Sequence, residues 1–185
     1  AMRDIAGHLE QTGKLDFFNI IAGNNLDRIH RTTHWPPTPA PHGLFVELAA
    51  GIKSVVSLPV FVAGRIVDPK HANSIIAQGR ADMVGMTRAH IADPAIVTKI
   101  TAGRSEDVRR CVGANVCVGR LIRGHAIRCL HNPEAAREHD WGPARSVSKA
   151  RNVAVIGGGP AGLEAARVAA ERGHSVTLYD AGSEI

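Results

Sequence analysis

The sequence predicts an α/β protein assembled from parts of two nucleotide-binding folds. Residues 1–104 read as the C-terminal part of a TIM (β/α)8 barrel, 105–150 as a cysteine-bearing connector, and 151–185 as the first βαβ unit of a Rossmann-like domain. Three observations predict this. Apolar runs of strand length alternate with helix-length segments, the pattern of a parallel sheet covered by helices. Three such strands in about 90 residues keep the rhythm of an eight-stranded barrel. A glycine-rich turn then sits between a fourth apolar run and a helix.

In chain order, Met2 to Gln11 reads as a helix with Gly13 ending it. Leu15 to Ile21 is a buried strand that stops at Ala22-Gly23. A long loop is expected next, because Pro36, Pro37, Pro39 and Pro41 remove backbone donors and fix φ. Helix resumes near Leu44 and runs to about Val56; Leu58 to Ala63 is the second strand, ending at Gly64-Arg65. Asp68-Pro69 is an N-cap followed by proline at the first helical position, and that helix ends near Gly79. Ala81 to Met86 is the third strand, ending at Thr87-Arg88; Asp93-Pro94 is expected to open a further helix that Gly103 closes. The connector carries all three cysteines, Cys111, Cys117 and Cys129, and a polar second half from Asn132 to Lys149 that includes Trp141-Gly142-Pro143. Asn152 to Ile156 is a strand, Leu163 to Arg172 a helix, and Ser175 to Asp180 a second strand.

Bulk properties narrow the function classes. A hydrophobic fraction of 44% with 21% charged residues belongs to a globular chain. No apolar run approaches the roughly 18–20 residues of a membrane span, and the start Ala1-Met2-Arg3-Asp4 lacks a signal-peptide stretch. An odd cysteine count disfavours a disulfide scaffold and points to a reducing, cytoplasmic setting with metal or redox use. The net charge of +5 is spread without dense basic runs or interleaved aromatics, so a solvated surface with some phosphate-binding arginines fits better than a nucleic-acid partner.

Two half-sites carry chemistry. Gly157, Gly159 and Gly162 form G-x-G-x-x-G between a strand and a helix, with Ala161 in the turn and Asp180 ending the next strand 21 residues beyond Gly159. Gly157 permits the tight turn, Gly159 leaves room for a pyrophosphate, Gly162 lets the helix approach the strand, and the helix start presents free N–H groups. Asp180 can accept from ribose hydroxyls and repels a 2′-phosphate, so FAD, NAD or ADP is favoured over NADP. In the barrel part, active sites lie at the C-terminal ends of strands. Gly64-Arg65 and Thr87-Arg88 stand at two such ends and together can hold a phosphate; the competing reading is a pair of surface arginines in salt bridges.

The order of these elements carries a resemblance. Gly64-Arg65, then Thr87-Arg88-Ala-His-Ile-Ala-Asp-Pro94, then Cys111-Val-Gly-Ala-Asn-Val-Cys117, then Cys129-Leu-His-Asn-Pro-Glu134, then Val155-Ile-Gly-Gly-Gly-Pro-Ala-Gly162 resembles the long members of the NADH:flavin oxidoreductase (old yellow enzyme) family. That group includes 2,4-dienoyl-CoA reductase, trimethylamine and dimethylamine dehydrogenases and N-methylproline demethylase. The resemblance runs from Leu15 to the end and is weakest over Asn24 to Pro41. It implies an internal piece of a homo-oligomeric enzyme with a small-molecule substrate. The three barrel strands would be strands 6 to 8, with FMN phosphate at Gly64, Arg65, Thr87 and Arg88. A [4Fe-4S] cluster would be held by Cys111, Cys117 and Cys129, and FAD, or ADP or NAD(H), would sit on the last segment.

Two departures matter. The family's Cys-x-x-Cys has Ala114 at its second position, and alanine offers no ligand. A non-cysteine ligand such as His125, a three-iron cluster, or no cluster at all remain the readings. Leu121 stands where trimethylamine dehydrogenase has a tryptophan of its substrate bowl, which weakens a quaternary-amine reading. His30, in the first loop, is the one catalytic candidate that can be set near the flavin, against the alternative of a solvent-exposed loop histidine. Three functions follow: an amine dehydrogenase or N-demethylase, which Ala114 and the Thr87-Arg88-Ala89-His90 run favour; a dienoyl-thioester or enoate reductase; and a non-catalytic electron-transfer module. Made alone, residues 1–185 are expected to be poorly stable and inactive, because open sheet edges remain.

Overall fold

The computed structural model describes residues 1–141 and 146–182, so Gly142 and Pro143 lie outside the described residues. The chain divides into two units, Ala1–Ala136 and Arg137–Ile185.

The first unit opens with α1 (Met2–Gln11), whose end is turned by Gly13 at φ +64°. Strand β1 (Phe18–Ile20) follows. The expected loop contains a helix, α2 (Arg28–His34), and this corrects the sequence reading. Asp27 starts it: its carboxylate accepts from the N–H groups of Ile29 at 2.8 Å and His30 at 2.9 Å. The prolines begin only at Pro36, beyond the helix, and so do not forbid it. Next come α3 (Val46–Lys53), β2 (Val60–Ala63), α4 (Pro69–Ala77) and β3 (Met83–Gly85). As the sequence indicated, Asp68 caps α4, accepting from Lys70 N at 2.8 Å, with Pro69 at the first turn.

The three strands form one parallel sheet in the order β1-β2-β3, with Phe18 opposite Val60 and Phe61 opposite Met83. Val60 and Val62 of the central strand are buried against Phe45, Ala49, Ile52 and Ile75. Burying each of these larger side chains contributes about 1.5–3 kcal/mol. Asp82 locks β2 at its start, accepting from Val60 N at 2.8 Å and from the Lys53 ammonium at 2.6 Å.

Two short helices follow β3 where the sequence suggested one. The first, α5 (Thr87–Ala92), begins directly at the strand end, and Asp93 terminates it rather than opening a helix. The second, α6 (Ile96–Thr101), starts two residues after Pro94. Asp93 ties the junction together. Its carboxylate accepts from Ala95 N at 3.1 Å, Lys99 Nζ at 2.6 Å and Arg109 N at 2.9 Å. A 3₁₀ turn (Ser105–Asp107) leads into the connector, whose helix α7 spans Val116–Ile122.

The second unit holds α8 (Glu138–Trp141), β4 (Asn152–Ile156), α9 (Pro160–Glu171) and β5 (Ser175–Tyr179). β4 and β5 pair in parallel, from Asn152 opposite Ser175 to Ile156 opposite Tyr179. Gly162 is required where it stands: a Cβ there would lie 1.8 Å from the Gly157 carbonyl oxygen. Among the described residues no helix is long and apolar enough to cross a membrane.

Asp93 gives the fold a pH signature. Burial pushes its carboxyl up, but the Lys99 ammonium and the backbone donors outweigh this and leave it below the ordinary carboxylate range. A depressed folded value means the contribution is present above the unfolded carboxyl pKa, near about 3.9, and is lost as pH falls through the folded value. Asp93→Asn in the full-length protein is expected to cost about 3 kcal/mol at neutral pH, because Lys99 loses its buried partner. Urea unfolding should show that deficit shrinking below about pH 4.

Candidate functional site

The C-terminal ends of β1, β2 and β3 open onto a cavity of about 250 Å³. Gly64, Arg65, Thr87 and Arg88, the four residues predicted for a phosphate, all line it. Gly64 turns the chain off β2 at φ +141°, and a Cβ there would come within 2.6 Å of the Phe45 ring. Arg65 follows at φ +54°, in the left-handed region that non-glycine residues rarely adopt. This turn sends its side chain inward, to 8% exposure.

Neither arginine is in a surface salt bridge among the described residues; each is bound by neutral acceptors. Arg65 Nη1 donates to the carbonyls of Thr38 and Ala40. Arg88 Nη1 donates to Pro36 O at 2.8 Å and to Asn115 Oδ1 at 2.5 Å. The proline segment is also stitched to the cysteine loop. Asn115 Nδ2 donates to Trp35 O at 2.7 Å, Thr38 Oγ1 to Val112 O at 2.5 Å, and Thr38 N to Gly113 O at 3.1 Å. Burial lowers the Arg88 pKa and the neighbouring Arg65 adds to that, while the nearby Cys111 and Cys117 side chains oppose it.

These bonds use Nη1 of each guanidinium. The Nε–Nη2 edge is the one that matches a phosphate or carboxylate in a two-pronged contact. Arg65 Nε is buried with no partner. A Cβ on Gly113 would crowd that edge, at 3.2 Å from Nε and 3.4 Å from Nη2, so the glycine keeps it clear.

The structure sets His30 apart from this cavity. Its ring is exposed and its Nδ1 lies 2.6 Å from Asp27 Oδ2, a contact that helps hold the Asp27 carboxyl low, after the larger effect of the His30 N–H. His34, one turn further along α2, lines the cavity instead. Composition and spacing gave no signal for it.

Cys111, Cys117 and Cys129 line a second, smaller cavity of about 30 Å³, and Ala114 lines it with them. Cys117 borders both cavities. All three thiols are free. Burial pushes the Cys117 thiol up, an effect that a hydrogen bond from Val118 N opposes. His125, suggested as a substitute ligand, is not among the lining residues; His131 is, but its Nδ1 already meets Arg110 O at 2.8 Å. Among the described residues no three His, Cys, Asp or Glu side chains converge to hold a metal ion. Cys111, Cys117 and Cys129 thus share the lining of one small cavity without meeting as a metal site, and Ala114 beside them offers no ligand atom.

In the second unit, Gly157 at φ +102° turns the chain and donates to Tyr179 O at 2.7 Å. Gly159 precedes α9, with open space where a Cβ would be, and Pro160-Ala161 form the first turn of that helix. Asp180 meets the turn: its carboxylate accepts from Gly158 N at 2.5 Å and Gly182 N at 2.8 Å. Those two N–H groups, Gly158 first, hold the Asp180 carboxyl below its ordinary range.

A strand-end cavity that gathers Arg65, buried, and Arg88, half-buried, and separately a dinucleotide fingerprint, are the features of a nucleotide-binding oxidoreductase family. The chain belongs to the NADH:flavin oxidoreductase / NADH oxidase family, whose profile matches residues 8–107. The pyridine nucleotide-disulphide oxidoreductase profile matches residues 149–185. Among curated relatives, an N,N-dimethylglycine/sarcosine dehydrogenase of Chromohalobacter salexigens is 44% identical over the whole chain, and a probable N-methylproline demethylase of Rhizobium meliloti is 44% identical over 98% of it. The 6-hydroxypseudooxynicotine amine oxidase of Pseudomonas geniculata N1 superposes with a TM-score of 0.86 at 34% identity, over 98% of this chain and 27% of that one. The chain spans 27% of the length of the two curated relatives.

The missing ligand at Ala114 makes a direct prediction. A complete four-thiolate cluster holds about four irons. After anaerobic reconstitution, the full-length protein is expected to retain clearly fewer per chain, and Ala114→Cys to raise iron and sulfide toward that value.

Proposed function

We propose that this chain supplies the FMN-phosphate end of the flavin site and the adenine-dinucleotide entry site of an oxidoreductase acting on a secondary or tertiary amine, an N-methylated amino acid in particular. The observation that carries the reading is a pair of arginines, Arg65 buried and Arg88 half-buried, whose partners are all neutral. Their charge is uncompensated in a cavity walled by Ile21, Phe45, Ile66, Val67 and Met86, and a phosphate on an apolar ring system answers both features. The choice of amine over activated alkene rests on the names of the two relatives, both of which describe N-methyl amino acid chemistry.

FMN, when bound, would supply the two-electron redox chemistry for oxidation of the carbon next to the amine nitrogen. This chain's residues bind and orient it. The guanidinium groups of Arg65 and Arg88 would hold its phosphate, with Gly64 and Thr87 shaping the backbone around it. The apolar walls exclude water from the ring. In the second unit, Gly157, Gly159, Ala161 and Gly162 admit the pyrophosphate of FAD, ADP or NAD(H) to the start of α9. Asp180 accepts from the ribose and its charge disfavours a 2′-phosphate. Three thiols without a fourth do not complete a cluster site, so no electron step is assigned to one.

The test uses the full-length protein. Arg65→Ala and Arg88→Ala are each expected to weaken FMN binding about 10- to 100-fold, the worth of a charge-assisted bond of about 1.5–3 kcal/mol. Arg104→Ala, on an exposed surface pair, is expected to leave it unchanged. Anaerobic flavin bleaching by sarcosine or N,N-dimethylglycine, but not by simple alkanes, supports the amine reading. NADH-driven reduction of an enone with no amine oxidation contradicts it.

A further inference from the structure

Two buried side-chain nitrogens lack a hydrogen-bond partner among the described residues, Arg65 Nε and His34 Nδ1, and both residues line the same cavity. Arg65 is accounted for by the phosphate. His34 is not, and it is held in place more firmly than the end of a seven-residue helix requires. Gly23, at φ +77°, lies so close behind it that a Cβ there would sit 2.5 Å from His34 N and 2.9 Å from its Cα. The Trp35 ring meets the imidazole edge-on, with centroids 4.8 Å apart at 73°. The backbone just beyond is pinned as well, Trp35 O by Asn115 and Pro36 O by Arg88. The backbone that carries the imidazole is therefore held from both sides, with the Trp35 ring against it.

We propose that His34 is a flavin-positioning residue whose Nδ1 makes a hydrogen bond to a polar atom of FMN in this cavity. The proposal rests on the reading of the cavity as the flavin site. Apart from His34, the polar side-chain groups on the cavity wall belong to Trp35, Arg65, Thr87, Arg88 and Cys117. The two arginines serve the phosphate, which leaves the imidazole facing the less charged part of the ligand. An imidazole nitrogen suits a hydroxyl or ring carbonyl there, because its tautomer lets it donate or accept. A buried nitrogen with no partner is costly in the empty site, and a bound flavin removes that cost. His30 cannot fill the role, since its Nδ1 is already engaged by Asp27 in solvent.

The experiment titrates the full-length apoprotein with FMN and follows flavin fluorescence and the visible absorption bands. His34→Leu is expected to raise the FMN Kd about 10-fold, the usual worth of one buried neutral hydrogen bond, and to shift the bands. His34→Asn, whose amide reaches the position of Nδ1, is expected to restore the Kd to within about 3-fold of wild type. Wild-type affinity in His34→Leu overturns the proposal, and so does equal loss in both variants, which marks a packing role. A second readout needs no variant: the ¹⁵N resonance of His34 Nδ1 should move on FMN addition, and an unmoved resonance overturns the proposal. Arg65→Ala and Arg88→Ala run in the same titration keep the two readings apart. If they bind FMN normally, the flavin site itself is misassigned; if they lose FMN while His34→Leu does not, only the role of His34 falls.

Discussion

Nη1 of Arg88 donates at once to the carbonyl of Pro36 and to the amide oxygen of Asn115, and much of the first unit is arranged around that fork. It reaches from the end of a barrel strand to a segment without regular structure and to the loop that carries the cysteines. Asn115 sits at φ +55°, a conformation that asparagine tolerates better than most side chains, and its amide completes the tie by donating to Trp35 O. Arg65 binds the same proline segment from the neighbouring strand end. Because every one of these acceptors is neutral, one buried and one half-buried cation are brought together without their charge being cancelled. Burial also lowers the pKa of Arg88. An anion in the cavity would cancel that charge, and the rest of the site reads as the means of admitting one.

The same arrangement joins the arginine-lined cavity to the cysteine pocket. Cys117 borders both, and Val112, Gly113 and Asn115 of the cysteine loop hold the strap that carries His34 and Trp35 into the first cavity. The cysteine loop and the wall of the first cavity are thus tied directly by hydrogen bonds. Ala114 alters what the pocket can ligate while leaving this framework intact, since none of the connecting bonds involves its side chain. Gly113, one residue earlier, must stay without a side chain for a different reason: the edge of Arg65 lies against it.

The strand ends were legible in the sequence because parallel strands read as apolar runs, and a glycine or arginine after such a run marks where the chain leaves the sheet. Only β2 has buried residues here, however, while β1 and β3, expected to be buried too, are partly exposed. The limits of β4, Asn152 to Ile156, were readable residue for residue, and the approach of Asp180 to the glycine turn follows from the parallel pairing of β4 with β5. Helices α2 and α5 were not legible. Only Ile29 is apolar in Arg28–His34, so no amphipathic period marks it, and α5 is too short to show one. Asp93-Pro94 has the signature of a helix start, yet Asp93 ends one helix and braces the next through Lys99. The partners of the two arginines are backbone carbonyls, which carry no residue signature at all. His34 was invisible for a related reason: its place depends on the close pass of Gly23, a tertiary contact eleven residues away.

Arg65, buried, and Arg88, half-buried, stand at adjacent strand ends with neutral partners and are proposed as the anion end of a flavin site. Determining the structure of the full-length protein with FMN bound tests that assignment most directly. The account predicts the phosphate between Gly64-Arg65 and Thr87-Arg88, met by the Nε–Nη2 edges while Nη1 of each arginine keeps its carbonyl partners in the proline segment. A flavin phosphate seated elsewhere, with Arg65 and Arg88 making no contact to it, would contradict the account.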